Sequence, residues 1–149
     1  KTYEVCVAAM QQNKHTFQWV PNEHQTPEMR LTAVQEDGSN IVHIHDEHRT
    51  PELRLIAVQE DGFAIQYLAH EHRTPELCLI AVKNIGYAIL YLTREQRTPE
   101  VCLAAVYSTR RALQFLTPEQ KTLQIYAIAY ANYGIEKISD LIDYLASFV

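Results

Sequence analysis

His43-Ile44-His45-Asp46-Glu47-His48 places three imidazoles and two carboxylates within six residues, the side-chain types that hold zinc or nickel. The stretch nearly matches a dinuclear metallohydrolase pattern in which an aspartate immediately precedes the last histidine. Here Glu47 does, and Asp46 stands one place earlier. His43, His45 and His48 are therefore the ligands of one alternative reading, a metal-binding or metal-dependent hydrolase module. Cys6, Cys78 and Cys102 are the thiols available for nucleophilic or redox chemistry. Neither a glycine-rich phosphate cradle nor a nucleophile elbow accompanies them.

The elements that must position these residues recur at a fixed step of 24. Thr2, Thr26, Thr50, Thr74, Thr98 and Thr122 keep that step without a slip, as do Ala9, Ala33, Ala57, Ala81, Ala105 and Ala129. In that register His43 aligns with Trp19, Tyr67, Tyr91 and Phe115, and His48 with His24, His72, Gln96 and Gln120. The histidines thus stand at ordinary repeat positions, where imidazole and amide interchange. Histidines at 24, 48 and 72 would make a pH-sensitive ladder if each met a charged neighbour; otherwise they are a solvated link. The cysteines also share one position, so they read as substitutes in a buried slot. Equivalent helices about 8 to 10 Å apart exceed the roughly 7 Å between Cα atoms that a disulfide tolerates.

Each repeat predicts two helices. Threonine at the N-cap accepts from an orphan backbone N–H; Pro27, Pro51, Pro75 and Pro99 follow at N1, where the missing N–H costs nothing. Glu28, Glu52, Glu76 and Glu100 come next, against the positive end of the helix dipole. Residues 75–85 read as a first helix, apolar nearly all round and hence buried on most sides. Gly38, Gly62 and Gly86 stand just past that helix, where a left-handed C′ residue would end it. Residues 87–94 read as a shorter second helix, packed by Ile85, Ala88, Ile89 and Leu92 at α-helical spacing. Residues 95–97 form a polar link.

The expected fold is all-α, an α/α solenoid of about six 24-residue two-helix repeats in a single domain over residues 1–149, roughly 50 to 60 Å long. Lys14 and Arg110 replace the glycine in the first and fifth repeats, and residues 135–148 should close the array as a longer amphipathic helix. Lys1 is expected to open a fragment of a longer chain, since neither an initiator Met nor a signal region precedes the first repeat.

Composition narrows the partners. A net charge of −5 and a pI near 5.8, with scattered basic residues, argue against nucleic acid and anionic membrane. No apolar run approaches the length of a membrane span. Single thiols in buried slots suit a reducing, cytosolic-type compartment. No cofactor, catalytic residue or resident metal is expected, and the oligomeric state is open. The better site is the second-helix row Trp19, Tyr67, Tyr91 and Phe115 with Phe63 and Tyr87 four residues earlier, interrupted by His43. The row lies about 100° from the centre of the apolar face. It is either a surface for a protein or peptide ligand or the packing between repeats, with Phe63 and Tyr87 expected to point further outward.

The unit at 74–92, Thr-Pro-Glu-Leu-Cys-Leu-Ile-Ala-Val-Lys-Asn-Ile-Gly-Tyr-Ala-Ile-Leu-Tyr-Leu, and Phe17-Gln18-Trp19-Val20-Pro21 resemble the repeat family Domain of Unknown Function 4116. The resemblance runs along the whole chain and is closest over residues 26–106. It implies short helical repeats that accompany other domains in bacterial effector-like proteins, with a site of action in a host cytosol. It implies no catalytic residues.

Overall fold

The computed structural model describes residues 3–131, and among these every regular element is helical. Six α-helices, α1 (Tyr3–Gln12), α2 (Pro27–Glu36), α3 (Pro51–Glu60), α4 (Pro75–Asn84), α5 (Pro99–Ser108) and α6 (Leu123–Ala131), begin 24 residues apart. The expected closing helix at 135–148 lies outside the described residues.

The helix starts follow from their local chemistry. The side-chain oxygens of Thr26, Thr50, Thr74 and Thr98 accept from the backbone N–H of Met29, Leu53, Leu77 and Val101, with proline at N1 each time. Helices α2, α4 and α5 then bury a stripe one residue wider than a simple seam. Leu77, Cys78, Ala81 and Val82 of α4 are all buried, and α5 repeats the stripe with Val101, Cys102, Ala105 and Val106.

Among the described residues, the second element of each of the first five repeats is a 3-10 helix rather than the expected α-helix. Lys14–Trp19, Gly38–His43, Gly62–Tyr67, Gly86–Tyr91 and Arg110–Phe115 are each six residues long. At three residues per turn, Gly86, Ile89 and Leu92 fall on one face, and all three are buried. Gly62, Ile65 and Leu68 do the same one repeat earlier. In the link, single-turn 3-10 segments such as Asp46–His48 and His70–His72 return the chain to the next threonine.

The glycines do not close the α-helices in a left-handed conformation. A single extended residue makes each exit, Asp61 at φ −138° and Ile85 at φ −136°. Asp37 and Asp61 then cap the 3-10 helix, accepting from Ser39 and Phe63 N–H at 2.9 Å. What fixes glycine is close approach of the next repeat. A Cβ on Gly62 would sit 2.5 Å from the Ala81 carbonyl oxygen, one on Gly86 equally close to that of Ala105, and one on Gly38 would meet the Ala57 carbonyl.

From α2 onward each α-helix packs on the next, and successive 3-10 helices pack on one another in a second layer. Between the layers, each 3-10 helix also touches the following α-helix, so the apolar core is continuous from Cys6 to Ala129.

Candidate functional site

The aromatic row lies on the 3-10 layer, and four of its members form two pairs of one construction. Phe63 of one repeat meets Tyr91 of the next, ring centroids 5.9 Å apart at 87°, and Tyr87 meets Phe115 at 5.9 Å and 65°. Both are edge-to-face pairs, the favoured aromatic geometry. Phe63 and Tyr87 therefore do not point further outward. They are half-buried because a 3-10 turn swings the residue after the glycine over the neighbouring repeat. Tyr67 and Phe115 are half-buried too, while Tyr91 keeps 38% and Trp19 67% of its surface exposed. Ser39 and His43 interrupt the row in the second repeat, so no ring covers Tyr67 from that side.

A second ladder fixes this layer. Arg73 donates from Nε to the Leu68 carbonyl at 2.9 Å, from Nη2 to Gln66 at 3.2 Å, and from Nη1 to the Tyr91 carbonyl of the next repeat at 2.5 Å. Arg49 bonds likewise to Ile44 at 2.8 Å and Tyr67 at 2.6 Å, and Arg97 to Leu92 at 3.1 Å and Phe115 at 2.8 Å. Gln25 makes the equivalent pair with one amide, to the Val20 and His43 carbonyls at 3.1 and 3.0 Å. In each case a fork joins the C-terminal carbonyls of two 3-10 helices, satisfying orphan acceptors at their negative ends. Burial lowers the pKa of Arg49 and Arg73. The backbone that carries Tyr67, Tyr91 and Phe115 is thus tied to the preceding repeat. The sequence reading places Arg97 in a polar link and gives Arg49 and Arg73 no role; their recurrence at 49, 73 and 97, with the donor Gln25 at the same step, was the available signal.

The histidine cluster stands on the exposed link. Glu47 lies 3.5 Å from both His45 Nδ1 and His48 Nε2, and His72 Nε2 is 3.8 Å from Asp46 across the repeat boundary. His43 ends the 3-10 helix Gly38–His43 and is exposed. Among the described residues, no three His, Cys, Asp or Glu side chains gather in an arrangement that would hold a metal ion.

Cys6, Cys78 and Cys102 are free and buried in their shared slot. The Cys78 thiol donates to the Arg73 carbonyl at 3.7 Å, the Cys102 thiol to the Arg97 carbonyl at 3.5 Å, and burial pushes both pKa values up. Raised pKa and burial oppose thiolate chemistry. Arg30 and Arg54 occupy the same slot in α2 and α3, each with a buried Nε that has no hydrogen-bond partner.

Among the described residues, no helix is long and apolar enough to cross a membrane. Comparison with curated proteins and with solved structures returns no match. Residues 50–97, from the N-cap of α3 through the Arg97 clamp, match the family described as Domain of unknown function (DUF4116), a span of two central repeats.

Proposed function

We propose that the chain is a non-catalytic helical-repeat scaffold that binds a protein or peptide along its lateral surface. In this reading it is a solenoid of about six 24-residue two-helix repeats forming one domain over residues 1–149, with a 3-10 second helix in the five repeats where that element is described. The observation that carries the reading is the row Trp19, Phe63, Tyr67, Tyr87, Tyr91 and Phe115. Four of its rings are held edge-to-face, Phe63 with Tyr91 and Tyr87 with Phe115, the arginine forks tie the backbone of Tyr67, Tyr91 and Phe115, and all six rings keep some exposed surface. Aromatic rings already fixed by packing lose little entropy on contact, which suits them to anchor a ligand. The acidic balance of the chain disfavours nucleic acid and anionic membrane as ligands. Three buried free thiols suit a reducing compartment, and family analogy adds an effector-like parent protein acting in a host cytosol.

Random peptides displayed on phage and selected against the folded chain test the reading. Ligands are expected whose affinity falls about ten-fold in Trp19→Ala or Tyr91→Ala, two exposed rings whose loss spares the core. Failure to recover any ligand, or ligands indifferent to both substitutions, would remove the aromatic row as the binding surface.

A further inference from the structure

The outward side of the α layer carries a second surface, built from different residues. Leu31, Leu55, Leu79 and Leu103 recur at the 24-residue step and remain half-exposed, as do Ile56 and Ile80 beside them. Open notches lie between successive helices. One of about 460 Å³ is lined by Leu79, Leu103, Ala104, Tyr107 and Ile128, with Tyr107 66% exposed. Another of about 500 Å³ lies between α1 and α2, lined by Tyr3, Val7, Met10 and Met29 with Glu28 and Glu36 at its rim.

The charge beside this apolar stripe is mostly acidic, with Lys83 as well as Glu100 in the lining of the first notch. Glu28, Glu52, Glu76 and Glu100 form an exposed row along the N-terminal ends of the helices, and Glu36 and Glu60 are exposed at the other end. Among the described α-helix residues, Lys83 is the one exposed cation; Arg30 and Arg54 are turned into the slot of the cysteines. Anionic lipid and nucleic acid would be repelled, and a second copy of the chain would present the same acidic face.

We infer that this face docks a basic amphipathic helix lying along the array, its apolar stripe in the notches and its lysines or arginines against the glutamate rows. Geometry supports the direction. Successive α-helices stand about 8 to 10 Å apart, and seven residues of a partner helix rise about 10.5 Å, so an apolar side chain once per heptad meets one notch after another. This surface is independent of the aromatic row and goes beyond the function proposed from it.

The probe is a fluorescein-labelled helical peptide of three heptads, leucine on one face and lysine on the other, titrated against the full chain by fluorescence anisotropy. It is expected to bind about ten-fold more tightly than a scrambled peptide of identical composition, and to weaken with added salt. Glu52→Gln/Glu76→Gln/Glu100→Gln, all exposed positions, is expected to cost about ten-fold in affinity, and Leu79→Gln/Leu103→Gln a similar factor. Trp19→Ala, on the other layer, should leave binding unchanged. Should the leucine variant fail to fold by circular dichroism, the glutamate variant alone decides. Equal binding of the scrambled peptide, or no loss in the glutamate variant, overturns the inference. Loss in Trp19→Ala would also overturn it by placing the peptide on the aromatic row, while leaving the scaffold reading intact.

Discussion

Replacing Arg73 by methionine keeps a long apolar stem and deletes the fork. Three hydrogen bonds disappear, to the Leu68, Gln66 and Tyr91 carbonyls. Bonds to a charged donor are worth about 1.5 to 3 kcal/mol each when buried. Two corrections reduce the sum. The site is partly wet, so water takes over some of the acceptors, and methionine avoids the desolvation that lowers the arginine's pKa. A net loss of about 2 to 3 kcal/mol remains, which for a chain of this size lowers the melting temperature by about 4 to 12 °C. Urea titration followed by far-UV circular dichroism measures it. Arg94→Met is the control, since the Arg94 side chain is 74% exposed and its ion pair to Glu119 spans 4.0 Å; it should cost under about 0.5 kcal/mol. Arg73→Gln should recover part of the loss, because Gln25 already joins the equivalent carbonyls with one amide. If Arg73→Met and Arg94→Met melt alike, the fork contributes nothing and the reasoning fails.

Gly86→Ala puts a Cβ 2.5 Å from the Ala105 carbonyl oxygen and 2.7 Å from Thr109 Cγ2, so the 3-10 helix Gly86–Tyr91 and α5 must separate; a cost of about 1 to 3 kcal/mol is expected by denaturant titration. Ala81→Leu or Val82→Asp, at fully buried positions, should destabilise far more than Gln66→Ala, and equal melting temperatures would sink the packing scheme. Burial raises the Cys78 and Cys102 pKa values, so the folded state holds these protons more tightly than the unfolded chain. The stability they confer is complete below the ordinary thiol value and is lost as pH rises through the raised one; as pH climbs above the ordinary thiol value of about 8.5, Cys78→Ala/Cys102→Ala should lose less stability than the parent. Calorimetric zinc titration should give no sub-micromolar stoichiometric binding that His45→Ala abolishes. Such binding would revive the metal reading of His43, His45 and His48.

What could be read from sequence was local. Thr-Pro-Glu announced each α-helix because cap, ring and carboxylate all act within one turn, and the threonine caps stand where their spacing put them. The cysteine slot was equally plain, since a 24-residue step carries Cys78 onto Cys102. The 3-10 helices were read as α because six residues span too few turns to separate a period of 3.0 from one of 3.6. The glycine, isoleucine and leucine at 62, 65 and 68 did carry the shorter period. Other features were hidden by distance along the chain. The Arg97 fork reaches a carbonyl 18 residues on, Phe63 finds Tyr91 in the next repeat, and Gly62 is fixed by the Ala81 carbonyl. Each was read from its own neighbourhood, as a polar link, an outward ring or a helix stop.

Hydrogen exchange by mass spectrometry, with the chain free and then saturated by a display-selected peptide, tests the scaffold reading most directly. A ligand laid along the array should slow exchange at 24-residue intervals, in segments around Tyr67, Tyr91 and Phe115 together. Protection confined to one stretch, above all residues 43–48, would contradict it and put function in a single local site.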